Sequence, residues 1–241
     1  SAPKPCPQGS CKQDQGGHLL QEISFDLQKG DRLGVVGATG SGKTSLLRLL
    51  ARQIPFDKGQ YTINGLSADH YHPSELASNI GVALQPPVLL KGTLLENLQF
   101  RRPHVSTQHC WESLEAMGLA DWVKEHPDGL YMAIDSQGSN LSSGQKQAIS
   151  LCRALAGRPT LLLLDEPTVC LDQTLEQRLM QAISDLPAHV IVVFTTHKLS
   201  MLSAANALML LHRSRIYSQG DKPTVLHAAK ALQSKLSEKS Q

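Results

Sequence analysis

Val35-Val36-Gly37-Ala38-Thr39-Gly40-Ser41-Gly42-Lys43-Thr44-Ser45-Leu46-Leu47 is the stretch from which the rest of the chain can be read. Gly37 to Thr44 has the spacing G-x-x-x-x-G-K-[ST], which a chain of this length meets by accident about once in a hundred at ordinary residue frequencies. The flanks fit as well. Residues 32–36 read as a short buried strand, and residues 44–53 place Leu46, Leu47, Leu49 and Leu50 on a helical face that Pro55 stops. A glycine loop between a strand and a helix turns its backbone N–H groups inward, and the helix start adds positive potential, so together they cradle phosphate. Lys43 reaches the terminal phosphate oxygens and Thr44 offers its hydroxyl to Mg²⁺. Gly37, Thr39, Gly40, Ser41, Gly42, Lys43, Thr44 and Ser45 are therefore the candidate nucleotide contacts.

Outward from this loop, Leu161-Leu162-Leu163-Leu164-Asp165-Glu166 reads as an interior strand that delivers two carboxylates at its C-terminal end, where open α/β sheets bind ligands. Asp165 is suited to hold Mg²⁺ through water, and Glu166 to orient or deprotonate an attacking water. Leu141-Ser142-Ser143-Gly144-Gln145-Lys146-Gln147 leads into a helix that Gly157 and Pro159 end. Small polar residues at a helix start suit a second phosphate contact, although as a bare pattern this is only an N-cap.

The 241 residues are 41% hydrophobic and 18% charged, enough for one large domain or two small ones and too apolar for disorder. The formal net charge of +2 supplies no bulk attraction to nucleic acid or an anionic membrane. No apolar run approaches the roughly 18–20 residues of a spanning helix; residues 190–194 and 207–211 are strand-sized. Such runs, with helical segments such as residues 175–186 between them, argue for a parallel sheet covered on both faces. Residues 19–27 alternate like a half-buried strand before a Lys29-Gly30-Asp31 turn, and residues 60–63 and 80–84 also read as strands. From 86 to 157 the pattern becomes mostly helical, for example over 107–117, and a segment at 215–218 and a helix over 223–236 close the chain.

Residues 1–17 read as a loop, and the Cys6/Cys11 pair within them lacks a second pair at zinc-site spacing. With no secretory-type start, the five cysteines point to a reducing compartment, and Cys170 is expected to be a small packed side chain. His70 and His72 fit a surface turn better than a metal site.

In this combination and order, the motifs resemble the nucleotide-binding domain of ATP-binding cassette (ABC) transporters over residues 18–222. Gly37 to Thr44 is similar to Walker A, Leu161 to Glu166 to Walker B and Leu141 to Gln145 to the signature, usually LSGGQ. By the same resemblance Gln85 stands at the Q-loop, Asp172 in the D-loop and His197 at the switch histidine. The resemblance implies an α/β fold of P-loop NTPase type, with a mostly parallel sheet, an antiparallel β part and a helical subdomain. Its expected divisions are a flexible 1–17, an ATP-binding core of 18–85 and 159–222, a signature subdomain of 86–158 and a C-terminal tail of 223–241.

It further implies ATP hydrolysis with Mg²⁺ held by Thr44, Gln85 and Asp165, and Lys43, Gln85, Glu166 and His197 around the γ-phosphate. Two copies would sandwich two ATP molecules head to tail, with Ser142, Ser143, Gly144, Gln145 and Asp172 of one facing the nucleotide of the other. The stretch Pro87-Val88-Leu89-Leu90-Lys91-Gly92-Thr93-Leu94-Leu95-Glu96-Asn97-Leu98 looks like that of exporters. The segments at 126–130, 135–138 and 196–202 resemble type I secretion ATPases of the RTX-toxin and large-adhesin class. The expected setting is the cytoplasmic face of an inner membrane, with a transmembrane domain, membrane-fusion and outer-membrane components as partners and no nucleic acid. Soluble ABC ATPases of DNA or ribosome and non-hydrolysing regulatory cassettes share these motifs.

Two departures stand out. Ser143 replaces a signature glycine, and Ser136 stands where such exporters carry an acidic residue. Residues 1–17 also hold no aromatic for the adenine to stack on, which implies weaker preference for ATP over GTP.

Overall fold

The computed structural model describes residues 20–100, 102 and 104–238. In chain order the elements are β1 (Arg32–Val36), α1 (Lys43–Leu50), β2 (Thr62–Ile63), β3 (Leu66–Ser67), α2 (Pro73–Asn79), β4 (Ile80–Ala83), β5 (Gly92–Thr93), α3 (Leu94–Gln99), α4 (Thr107–Ala116) and α5 (Ala120–Glu125). There follow β6 (Ala133–Ile134), α6 (Ser143–Ala156), β7 (Leu161–Leu164), α7 (Gln173–Ser184), β8 (Ile191–Thr195), α8 (Leu199–Leu202), β9 (Ala207–His212), β10 (Arg215–Gly220) and α9 (Lys222–Glu238).

The main sheet has the order β10-β9-β1-β8-β7-β4. All its pairings are parallel except β10 with β9, so this is the α/β fold that the sequence implies. The continuous apolar runs are explained by burial on both faces. Leu33, Val35, Leu163, Val193 and Met209 point toward Leu46, Leu47 and Leu50 of α1. Their alternates Leu162, Leu164, Val192, Phe194, Leu208 and Leu210 join the core formed with α4, α6 and α7. The register Ala83↔Leu164, Leu164↔Phe194 and Val35↔Thr195 brings the C-terminal ends of β4, β7, β8 and β1 side by side. Parallel strands thus deliver four following loops to one edge.

Two expectations change. The alternation over 19–27 is real, since Leu20, Ile23, Phe25 and Leu27 pack on the core, but residues 20–28 form no strand. Apart from Gln21 N–H to the Ser214 carbonyl at 2.8 Å and the turn at Asp31, no backbone hydrogen bond among the described residues holds this run, which lies on the core. Helix α1 ends at Leu50, before Pro55. There Arg52 takes a left-handed φ of 56°, and the Gln53 N–H closes back on the Arg48 carbonyl at 2.9 Å, an ending of Schellman type.

The exporter-like stretch is latched by one buried side chain. Asn97 Nδ2 donates to the carbonyls of Leu90 (2.8 Å) and Thr93 (3.0 Å). Its Oδ1 accepts from the Leu90 N–H and from Arg153 Nη2, both at 2.9 Å. Arg153 also donates to the Asn97 and Val88 carbonyls, at 2.8 Å each. Burial, and then the Arg102 charge, pulls its guanidinium down to about 10, so it remains a cation at neutral pH. Val88 and Leu90, by contrast, stay 59% and 46% exposed.

Removing the latch leaves several buried groups unpaired, at about 1–3 kcal/mol each before relaxation. Asn97→Ala is expected to lower unfolding free energy by roughly 2–4 kcal/mol in urea titration. Asn140→Ala, which also breaks two hydrogen bonds but at an exposed position, should cost no more than about 1 kcal/mol. Equal losses would show that the buried latch contributes no more than an exposed pair of hydrogen bonds.

Candidate active site

The loop after β1 needs glycine where the backbone is crowded. A Cβ on Gly37 would lie 2.3 Å from the Leu211 carbonyl oxygen and 2.7 Å from Ser41 Oγ. Gly42, at φ 101°, precedes α1 and offers no side-chain cap, so the first N–H groups of that helix stay open to an anion. Ser41 Oγ is buried and has no hydrogen-bond partner among the described residues. Lys43 Nζ lies across the loop, 2.8 Å from the Gly37 carbonyl and 3.1 Å from that of Ala38. Burial lowers its pKa, opposed by the charges of Glu166 and Asp165. Thr39 and Gly40 are exposed at the rim, and Ser45 is half-buried in the first turn of α1.

At the end of β7, Asp165 is only 2% exposed. One of its oxygens accepts from Thr44 Oγ1 at 2.7 Å and the other from Thr195 Oγ1 at 2.6 Å. Glu166 adopts a left-handed φ of 46°, its N–H donating to Thr195 Oγ1 at 2.9 Å. Its Oε1 lies 3.1 Å from Nε2 of His197, which follows β8. Next to that histidine, Lys198 Nζ pairs with Glu176 at 2.6 Å and reaches the Thr168 carbonyl at 3.4 Å. The Lys198 bond, followed by one from Ser200, holds the Glu176 carboxyl below its ordinary range.

Gln85, after β4, donates through Nε2 to Gln147 Oε1 at 2.8 Å, and Gln147 Nε2 donates to the Pro167 carbonyl at 3.2 Å. A carbonyl only accepts, so the pair is ordered in one sense and Gln85 keeps its own oxygen for another partner. The residues present therefore fit a nucleotide with its divalent cation: an unpaired buried hydroxyl, open helix-start N–H groups, a lysine across the loop and hard oxygens on Thr44, Asp165 and Gln85.

The start of α6 is built differently. Ser142 Oγ accepts from the Gln145 N–H at 3.1 Å, and Gln145 Oε1 accepts from the Ser142 N–H at 2.9 Å, a capping box that occupies both side chains. Ser143 is exposed. A Cβ on Gly144 would come within 2.9 Å of the Cys170 carbonyl oxygen, so this helix start rests against the loop that follows Glu166. Asp172 caps α7, accepting from the Leu175 N–H at 2.8 Å. Among the described residues no hydrogen bond joins 142–145 or Asp172 to the loop at 37–45.

Cys170 is exposed, with φ 65°, which corrects the expectation of a packed side chain. His72 caps the start of α2, its ring nitrogen accepting from the Ser74 N–H at 3.3 Å. The reading of Cys6/Cys11 and of a missing adenine-stacking aromatic falls in 1–17, outside the described residues. Sequence reasoning missed Thr195, Gln147, Lys198 and Glu176 as site residues. The one available signal was the pair of threonines, Thr195 and Thr196, that ends the apolar run Ile191-Val192-Val193-Phe194.

A phosphate loop beside a buried aspartate and a glutamate–histidine pair defines a nucleotide hydrolase of the P-loop class. Comparison with known proteins narrows this. The family model described as ABC transporter matches residues 20–169, and an AAA-domain model matches residues 137–203. The ABC transporter aclQ of Aspergillus oryzae is 32% identical over 215 residues, 89% of this chain and 27% of that protein. The alpha-hemolysin translocation ATP-binding protein of Escherichia coli O157:H7 is 33% identical over 205 residues, 85% of this chain and 29% of that protein. A solved structure of a bacterial Atm1-family ABC exporter with ATP bound superposes with a TM-score of 0.83 at 26% identity, over 92% of this chain and 40% of that one. The chain belongs to the ABC transporter family, as an ATPase domain. It spans under a third of the length of the two curated relatives, and no described helix is long and apolar enough to cross a membrane.

The crowding at Gly144 and the open surroundings of Ser143 make opposite forecasts for adjacent positions. Gly144→Ala should destabilise the fold by about 1–3 kcal/mol in chemical denaturation, through the overpacked contact with the Cys170 carbonyl. Ser143→Gly should change it by less than about 1 kcal/mol, the helix-propensity difference alone. Comparable effects would mean that the helix start is not wedged against that loop.

Proposed function

We propose that this chain hydrolyses ATP to drive an exporter of the type I protein-secretion kind, acting as a pair of copies that sandwich two nucleotides. The observation that carries the catalytic part is the 3.1 Å approach of Glu166 Oε1 to His197 Nε2, beside the 2.7 Å Thr44–Asp165 contact. In this reading the Gly37–Thr44 loop and Lys43 bind the β- and γ-phosphates, while Thr44, Asp165 and the Gln85 oxygen hold Mg²⁺. The cation, when bound, offsets charge on the β- and γ-oxygens. Glu166 accepts a proton from water as the water oxygen bonds to the γ-phosphorus and the bond to the β,γ-bridging oxygen breaks, releasing ADP. His197, hydrogen-bonded to Glu166, orients that carboxylate and lies beside the γ-phosphate.

The second copy enters through α6. With Ser142 and Gln145 capping their own helix, the start of α6 offers its open N–H groups and the exposed Ser143 hydroxyl to a phosphate, and its own 37–45 loop makes no hydrogen bond to it. A nucleotide on a second copy is the partner we assign to this surface, with Asp172 nearby. Residues 86–158 then form the unit that carries the signature, against an ATP-binding core of 18–85 and 159–222.

Assignment to protein secretion is supported by similarity to the alpha-hemolysin translocation protein and by the segments at 126–130, 135–138 and 196–202, the stretch at 87–98 supporting an exporter in general. It implies a transmembrane domain, membrane-fusion and outer-membrane components, and a place on the cytoplasmic face of the inner membrane.

Glu166→Gln should lower kcat for phosphate release by about 10²–10⁴-fold, the usual contribution of a general base. ATP-bound dimers of that variant should accumulate on size-exclusion chromatography. Undiminished turnover would remove Glu166 from the role, and a persistent monomer at saturating ATP would remove the sandwich.

A further inference from the structure

Thr195 is fully buried at the end of β8, the one polar side chain of that strand. Its hydroxyl makes two bonds whose directions chemistry fixes. A carboxylate only accepts, so the hydroxyl proton goes to Asp165 Oδ1, at 2.6 Å. A backbone N–H only donates, so the hydroxyl oxygen accepts from Glu166, at 2.9 Å. One side chain therefore grips both acidic residues that end β7. Holding Oδ1 turns Oδ2 toward Thr44 and the phosphate loop. Holding the Glu166 N–H stabilises a left-handed backbone that a glutamate adopts only under constraint, and from which its carboxylate meets His197. His197 lies two residues beyond Thr195, so base and histidine are referenced to the same strand end.

We propose that Thr195 is a positioning residue for hydrolysis: its hydroxyl sets the rotamer of Asp165 and the backbone of Glu166 without touching nucleotide. This rests on the reading of Glu166 as the base. Without the hydroxyl, Asp165 Oδ1 and the Glu166 N–H lose their shared partner. The Glu166 carboxylate then loses its aim, whereas Lys43 and the open N–H groups at the start of α1, none of them bonded to Thr195, keep their places for nucleotide.

The test compares Thr195→Val, Thr195→Ser and Thr195→Ala with the unmodified chain. It measures kcat and KM for ATP, equilibrium binding of a fluorescent ATP analogue with and without Mg²⁺, and thermal unfolding. Thr195→Val is expected to lower kcat about ten-fold or more. KM and analogue affinity should stay within about three-fold, and Thr195→Ser should restore kcat to within about three-fold of the original. Should Thr195→Val not fold, the Ser and Ala variants read the same contrast. Unchanged kcat in Thr195→Val or Thr195→Ala overturns the proposal. So does a kcat loss matched by an equal loss of analogue binding, or a Thr195→Ser variant as slow as Thr195→Val. Glu166→Gln is run beside them: if it keeps full turnover, the base assignment itself fails and the proposal falls with it, whereas an inactive Glu166→Gln with a fully active Thr195→Val sinks the proposal alone.

Discussion

A carboxylate carried to the inner end of a buried strand is stable only if its lone pairs are filled, because an unpaired charge in a dry interior costs several kcal/mol. Asp165 meets that condition with two hydroxyls, one from the first turn of α1 and one from the last residue of β8. Helix, central strand and neighbouring strand are therefore tied at a single point. The hydroxyl of Thr44 is available there only because the glycine loop ends where it does. That of Thr195 is available because β7 and β8 run parallel in the observed register, with Leu164 opposite Phe194. A slip of one residue in that register would set Phe194 where Thr195 now stands and leave the charge short of a donor.

The same parallel arrangement explains why residues as far apart in sequence as Gln85, Asp165 and His197 share one edge. Each follows a strand of the same direction, and the strands are neighbours. Their links are of two kinds. Charged and hydroxyl groups join β7, β8 and α1, whereas a pair of amides joins Gln85 to Gln147 on α6 and onward to the Pro167 carbonyl. The amide pair carries no net charge and is the one of these two links that reaches α6. With Gly144 under the Cys170 carbonyl, that helix touches the segment after Glu166 at two places.

Features encoded by local chemistry were legible in the sequence: the glycine loop, the Leu161 to Glu166 strand with its carboxylates, the Ser142 cap and the end of α6 at Gly157. Each is a run of adjacent residues whose reason for existing is contained in the run. Residues 20–28 were misread because alternation reports burial, and burial on one side does not require a neighbouring strand to complete a ladder. The end of α1 was misplaced because Arg52 adopts a left-handed conformation that glycine or asparagine would have signalled and arginine does not. Thr195 and Gln147 escaped notice because their partners lie 30 and 62 positions away, at Asp165 and Gln85. Nothing in the local sequence of a strand-ending threonine or a helical glutamine announces such a partner.

The Asn97 latch separates shape from surface. Because the backbone around 88–97 is fixed from within by one amide and one guanidinium, the outward side chains of Val88 and Leu90 have no part in holding it. Their identities can drift while the path of the chain stays put, so whatever this face meets can be matched by substitution at the surface alone. Such a division lets the outer face of this stretch be altered without refolding the domain beneath it.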